Sequence, residues 1–377
     1  MDTARTFLEV DLALLKENFK AIKKAAAPLK VIAVIKADAY GSGAEKEAKA
    51  LYEAGADAFA VSCLAETDPL LAYPIPLHIL GPVLDFELPE AVKRGVVIAI
   101  GDMASAEKIQ KEAQKQGKRV PCHFKLDTGM GRFGLLPEEA PSVIRKAVRM
   151  PELDCRGIFS HMPEAGKEDF AQNEEIRNRF LSVLDDLKKD AVTFPWIHIA
   201  NSPGMNACPF AKAPPFTAGR VGLCLHGVYD DGPRSIPLKE TFTLKTRLAA
   251  VRKMPKGATL GYSRTCKLEK EELIGYAAIG YADGIPLALS NKGFLLIRGK
   301  KCPIKGRIAM DYTAFSLQEF ADEGLEIPSP GEIITCLGRD GEEKITVYDW
   351  AEMKKTHAYE ILCSITARVK RIYKKGE

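Results

Sequence analysis

One alternation constrains the fold of this 377-residue chain more than any other feature. Through the first 225 residues, short apolar runs alternate with stretches whose apolar positions recur every three or four residues. Strand-like runs fall at 31–35 (VIAVI), 57–62, 77–80, 96–100, 120–126, 154–160, 196–200 and 217–223. Helical patterns separate them, as at 44–54, 102–116 and 168–189, and another at about 11–26 precedes the first run. Parallel strands need long crossovers, and a helix in each crossover covers the sheet's outer face. Eight β/α repeats in this length predict an α/β fold of the (β/α)8, TIM-like barrel type.

After about residue 236 the texture changes. Short runs such as LKTRLAAV, LIGYAAIGY, GFLLIRG and EIITCLG are separated by Gly, Pro and Asp turn signals, which predicts a mainly β C-terminal domain. The stretch Asp231–Pro237 reads as a linker. The expected division is therefore 10–236 for the barrel and 237–377 for the β domain, with residues 1–9 joined to the latter.

A net charge of +4 is too small and too dispersed to argue for nucleic acid, and the basic end Lys370, Arg371, Lys374 and Lys375 reads as a solvated tail. Nine cysteines, an odd number without a C-x-x-C pair, read as reduced thiols and point to a cytoplasmic protein. The six histidines show no metal-ligand spacing with them, so no metal is expected. No stretch approaches about 18 apolar residues, and the N-terminus lacks an apolar signal core; neither membrane nor export is expected.

In barrels of this type the chemistry collects where strands end. Lys36 follows the first strand, Asp127 and Arg132 the fifth, His161 the sixth, Asn201 and Ser202 the seventh, and Arg220 lies in the eighth. A lysine held at such a mouth loses hydration, its pKa falls, and its amine becomes a nucleophile able to form a Schiff base. Taken alone, a strand-end lysine simply reaches solvent. Gly129-Met-Gly-Arg-Phe-Gly134 matches G-x-G-x-x-G, with Glu152 at the spacing of a ribose contact. It lies in the fifth β/α unit, however, and Arg132 sets a charge inside the loop, which suits a carboxylate clamp better than a dinucleotide. Arg220-Val-Gly222 sits where barrel phosphate sites are built, unless the arginine pairs with a structural carboxylate. Ser202, followed by Pro203 and Gly204, reads as a helix start that offers amides to an anion. In the second domain Tyr262 and Tyr281 lie in Gly-bounded turns, with Met310-Asp311 and Tyr359 as further candidates.

The segments VIKADAYGSG, KLDTGMGRFG, IHIANSPGM, GRVGLCLHG, LGYSRTCKL, IGYADG, GRIAMD and AYEILCSITARV together resemble, in order, the motifs of the bacterial alanine racemases. The resemblance runs from about residue 5 to 373. It implies an isomerase of fold type III that interconverts L- and D-alanine with pyridoxal 5'-phosphate and supplies D-alanine for peptidoglycan. It further implies a homodimer with shared active sites. Lys36 is then the Schiff-base lysine and the base for the D-substrate proton; Tyr262, from the partner subunit, handles the L-substrate proton. Arg132 binds the substrate carboxylate, and His161 and Arg220 lie along the cofactor ring, Arg220 on the pyridine nitrogen. Tyr40, Ser202, Gly222, Leu223 and Tyr359 hold the phosphate, with Asn201 nearby. Met310 from the partner contacts substrate, Tyr281 and Asp311 shape the entrance, and Lys125 matches a position carbamylated in many members.

Racemisation removes a proton from one face and returns it on the other, so two bases of different kind are the economical solution. Tyrosine ionises near ~10, so cations must favour its phenolate; His161 and Arg220 are the expected sources. Ile285-Pro-Leu-Ala-Leu after GYADG, and the ending ARVKRIYKK, depart from the common pattern. The first leaves room for a broader amino-acid racemase. A decarboxylase on the same barrel conflicts with Arg220, and a cofactor-binding protein without turnover has no use for Tyr262.

Overall fold

Eight parallel strands form where the periodicity predicts them: Lys30–Val34, Ala58–Val61, Leu77–Ile79, Val97–Ile100, Val120–Lys125, Leu153–Phe159, Trp196–His198 and Ala218–Val221. The computed structural model describes residues 4–166, 171–229 and 232–374. The second to seventh barrel strands each pair with their predecessor in sequence, and the eighth pairs with the first through Lys30↔Ala218 to Ala33↔Val221. Two backbone bonds, Thr217 N to Ile197 O (2.9 Å) and Arg220 N to Ala200 O (3.0 Å), join the seventh strand's end to the eighth. The barrel is thus nearly closed.

The helices follow from their sequences. Leu12–Ala26 buries Leu15, Asn18, Phe19, Ile22 and Ala26, the three-four spacing of one apolar stripe. Met103–Lys115 starts at a capping box in which the Asp102 carboxylate accepts from Ser105 N (2.6 Å) and the Ser105 hydroxyl accepts from Asp102 N (3.3 Å). The long helix is Ala171–Lys188; the predicted start at 168–170 lies outside the described residues. Within the barrel, Ile32, Val34, Ala58, Ala60 and Ala218 pack with Leu80 and Trp196. Side chains alternate along strands, so His198 shares the face of Trp196, and Arg220 that of Ala218. No described helix is long and apolar enough to cross a membrane, and none of the nine cysteines is in a disulfide.

The chain divides into two units. The barrel unit comprises Leu14–Ala39 and Ala44–Glu240, and the other comprises the described parts of Met1–Ala13, Tyr40–Gly43 and Thr241–Glu377. The second unit is built on the 13-residue strand Phe242–Met254, which pairs with Thr6–Asp11, Glu272–Ala277 and Ile333–Asp340. The expected linker begins at Asp231, which lies outside the described residues.

The basic end is not a solvated tail. Lys370–Lys374 is a strand parallel to Thr6–Asp11. The Arg371 guanidinium donates to four carbonyls, those of Gly41, Ile365, Thr366 and Val369. Lys374 pairs with Glu9 at 2.8 Å. A count of charges does not foresee an arginine whose donors go to backbone oxygens. Lys375 lies outside the described residues.

Buried Asn18 ties the first helix to the chain beyond the eighth strand. Its Nδ2 donates to Leu225 O (2.9 Å) and Lys239 O (2.7 Å), and its Oδ1 accepts from Lys239 N (2.9 Å). Asn18→Ala should lower stability by about 2–3 kcal/mol, since backbone groups are left buried and unmatched. Urea unfolding measures this, and a loss below about 0.5 kcal/mol would contradict the bracing role.

Candidate active site

The barrel brings Lys36, Lys125, Arg132, His161 and Arg220 to one end. Burial holds the His161 imidazole well below its ordinary pKa, and the positive charges of Arg220, Arg132, Lys125 and Lys36 add to that effect. Four cations within electrostatic reach of one ring mark a basin of positive potential.

Arg220 is its centre. The residue is 4% exposed, and its Nη1 donates to His198 Nδ1 (2.7 Å) while Nη2 donates to Ser160 O (2.7 Å) and approaches His161 Nδ1 (3.3 Å). Among the described residues no carboxylate pairs with Arg220 or with exposed Arg132, so the structural-ion-pair reading of Arg220 fails. Burial pushes the Arg220 guanidinium down to about 9, which still leaves it charged at neutral pH.

A guanidinium only donates, so it assigns the protons around it. His198 must offer a lone pair at Nδ1 and carry hydrogen on Nε2, from which it donates to His123 Nδ1 (3.2 Å). His123 then carries its proton on Nε2. Burial holds both rings neutral. By the same rule His161 accepts at Nδ1 and bears hydrogen on Nε2. This corrects the expectation that His161 is a cation favouring a phenolate: it is a neutral donor.

The glycine loop after the fifth strand does not cradle a phosphate. Its amides are already used: Asp127 Oδ1 accepts from Gly129 N (3.1 Å), Met130 N (2.8 Å) and Gly131 N (3.1 Å), and Oδ2 from Arg132 N (2.7 Å). Burial alone would raise the Asp127 pKa, but these donors outweigh it and the value falls below the usual range. The loop is folded around a carboxylate, with Arg132 at its rim and its guanidinium 4.9 Å from the Phe133 ring centre.

Lys125, 2% exposed, donates from Nζ to Leu126 O (2.5 Å). Burial lowers its pKa to about 7, with help from Arg220 and Arg132. A cavity of about 220 Å³ lies beside it, lined also by Val83, Ile98, Asp102, Lys108 and Phe133.

Lys36 opens an unusual backbone. Ala37, Asp38, Ala39 and Tyr40 have φ of 52°, 53°, 53° and 57°, a left-handed turn made without glycine. Such a conformation costs L-residues about 1–2 kcal/mol each. Ala39 N donates to Ile35 O (3.0 Å), and Asp38 Oδ1 accepts from Ala44 N (2.7 Å).

On the other side, Ser202 begins the helix Ser202–Ala207, and its hydroxyl accepts from Gly222 N (3.0 Å), which brings those two residues together beside buried Leu223. Asn201 caps that helix: Oδ1 accepts from Gly204 N (3.0 Å) and Nδ2 donates to Met162 O (2.9 Å).

The remaining candidates belong to the second unit. Tyr40 and Tyr359 lie with ring centres 6.0 Å apart. Gly261, at φ +72°, lets its turn approach Arg307, whose amide nitrogen would lie 2.5 Å from any added Cβ. Gly280 allows the same approach to Met310, whose carbonyl oxygen would be at 2.2 Å. These turns leave Tyr262 70%, Tyr281 44% and Met310 51% exposed. Asp311 is held by Arg368 (2.8 Å), which also grips Asp283.

Sequence reasoning passed over His123 and His198, which sit inside strands and look like core residues. It noted Asp127 without giving it a role, although an acid just before a glycine loop is a signal for amide capture.

The residues 10–230 match the family model for the alanine racemase N-terminal domain, and 241–373 that for the C-terminal domain. The alanine racemase of Halothermothrix orenii is 33% identical over 377 residues, covering 99% of this chain and 97% of that one. The alanine racemase of Bacillus anthracis with bound L-Ala-P superposes with a TM-score of 0.90 at 29% identity, covering 100% of this chain and 96% of that one. That of Bartonella henselae, with covalently bound pyridoxal phosphate, gives 0.88 at 28% identity and covers 98% and 99%.

The carboxylate at Asp127 predicts a pH signature. A depressed folded pKa gives stability that is present above the unfolded value near ~4 and disappears as pH falls through the folded value. The stability gap between wild type and Asp127→Asn should be widest at neutral pH and should close in acid. Urea midpoints measured across the pH range test it; a gap independent of pH would refute the assignment.

Proposed function

We propose, from the premise that the chain belongs to the alanine racemase family, that it interconverts L- and D-alanine using pyridoxal phosphate carried on Lys36. The observation that supports this most is the positive basin around His161, in which Arg220 and Arg132 have no carboxylate partner among the described residues. It fits a ligand that brings a phosphate and a carboxylate, and it does not fit a neutral one. Bound there, pyridoxal phosphate supplies the electron sink that acidifies the α-hydrogen of an amino acid.

The chain's own residues then divide the work. Lys36 anchors the cofactor and moves the proton on one face, serving the D-substrate. Tyr262 serves the L-substrate on the other face and comes from a second subunit; its exposure beside Tyr281, Met310 and Tyr312 supports a partner surface there. Arg132, free of carboxylate partners among the described residues, would receive the substrate carboxylate. Arg220 would lie at the pyridine nitrogen of the bound cofactor; because a guanidinium does not release its proton, it would leave that nitrogen unprotonated and keep the sink weak. Neutral His161 donates from Nε2 along the ring.

Ser202, Gly222 and Leu223 would hold the phosphate, Asn201 fixes the helix behind them, and the family likeness assigns Tyr40 and Tyr359 to the same group. Met310, supplied like Tyr262 by a second subunit, would contact substrate through its backbone, while Tyr281 and the Arg368-held Asp311 would shape the entrance. The domain division at 236/237, the homodimer, the cytoplasmic setting and the supply of D-alanine to peptidoglycan belong to the same reading and rest on the family likeness.

Lys125 belongs to it as well. An amine lowered to about 7 is substantially uncharged at neutral pH, and the adjoining cavity has room for a small group. Attack of that amine on carbon dioxide, with loss of a proton, gives a carbamate whose negative charge would offset Arg132 and Arg220.

Purified protein supplied with pyridoxal phosphate should absorb in the visible range and turn L-alanine into D-alanine. Tyr262→Phe should keep the band yet lose about 10²–10⁴-fold in racemisation. A chiral product screen across the amino acids decides between alanine and a broader preference, and a coloured protein inert toward all of them would leave only cofactor binding. Carbon-13 bicarbonate should give one carbamate resonance that disappears in Lys125→Arg; its absence from wild type would remove the carbamate.

A further inference from the structure

Lys36 stands where two strands part company. The parallel ladder between the first and second barrel strands runs through Ile35 N to Ala60 O (3.0 Å). In a regular parallel ladder the next rung would join Ala37 N to the Ser62 carbonyl. The chain turns left-handed at Ala37 instead, and that rung is absent. A carboxylate occupies its place: Glu66 Oε1 accepts from Ala37 N and Oε2 from Ser62 N, both at 2.7 Å. Glu66 ends the short 3₁₀ turn Leu64–Glu66 beyond the second strand, so it reaches back to its own loop and across to Lys36's neighbour.

We propose that Glu66 is the positioning residue for Lys36. The residue before Lys36 is fixed by the ladder and the residue after it by the Glu66 carboxylate, so its Cα is gripped on both sides while four left-handed residues follow. A charged acceptor bridging two amides makes stronger bonds than a neutral one. Both oxygens receive N–H donors, which gives the site a chemical discriminator. Glutamine has the same shape but only one acceptor, so Glu66→Gln satisfies one amide and sets an NH2 against the other. Aspartate keeps both acceptors but loses one methylene of reach. The inference rests on the proposed role of Lys36 as cofactor anchor.

The test compares wild type, Glu66→Gln and Glu66→Asp as full chains. Hydrogen exchange of the segment 37–40 reads the clamp without the cofactor; it should quicken at least about tenfold in Glu66→Gln while the barrel core stays protected. The rate at which pyridoxal phosphate added to cofactor-free protein develops the Lys36-bound visible band should fall about tenfold. In the loaded enzyme kcat should fall similarly with KM for alanine nearly unchanged, and Glu66→Asp should recover part of each loss. Wild-type exchange and wild-type band formation in Glu66→Gln would overturn the proposal. So would failure of both variants to fold, which would make Glu66 a folding residue only. A wild-type protein that never forms the band would refute the cofactor reading instead, and the exchange measurement would still decide whether Glu66 holds the turn.

Discussion

The arrangement at the barrel mouth depends on one buried guanidinium. Removing a cation from water is costly unless partners replace its hydration, and a carboxylate is the usual replacement. Arg220 has none among the described residues. It is solvated instead by the carbonyls of Ser160, His198 and Ile199 and by the lone pairs of His198 and His161. Dipoles satisfy its donors without cancelling its charge. The surplus acts at a distance: it helps to keep His161 and His198 neutral and to lower Lys125. Burial sets the protonation state of these neighbours and this one side chain reinforces it, so an anion entering this space meets its field.

Much of this was legible in the sequence because it is periodic. The eight strands fall within a few residues of their expected bounds, since parallel strands covered by helices must show short apolar runs at helix-length spacing. The site's members were legible as a set, each being the polar residue that follows such a run. What escaped has no period. His123 and His198 are inward-facing strand residues, and nothing in their neighbourhood tells a relay from a core histidine. The charge state of His161 depends on its burial, and its tautomer on which of its nitrogens meets a guanidinium 59 positions away.

Two segments whose letters suggest one role and whose bonding gives another share a cause. Gly129–Gly134 has the letters of a phosphate loop, and Lys370–Lys374 has those of a solvated end. In each, side chain and backbone bond to one another: the Asp127 carboxylate takes the loop amides, and the Arg371 guanidinium takes carbonyls. A motif records which residues are present, whereas function depends on whether their hydrogen-bonding groups remain available. That depends on the fold.

The same accounting bears on why a strained turn follows Lys36. Four left-handed residues cost on the order of 4–8 kcal/mol together, comparable with the net stability of a whole domain. Such a turn persists only where its surroundings over-determine it. Here the ladder bond at Ile35, the carboxylates of Asp38 and Glu66, and the return bond from Ala39 to Ile35 do so locally. The strained turn and the uncompensated charge of Arg220 both raise the free energy of the site. A bound anion would relieve the charge term, whereas the turn is held by the bonds just named. Binding free energy at this mouth should therefore come mainly from neutralising the basin around Arg220, while the turn contributes geometry: it fixes the lysine before the ligand arrives.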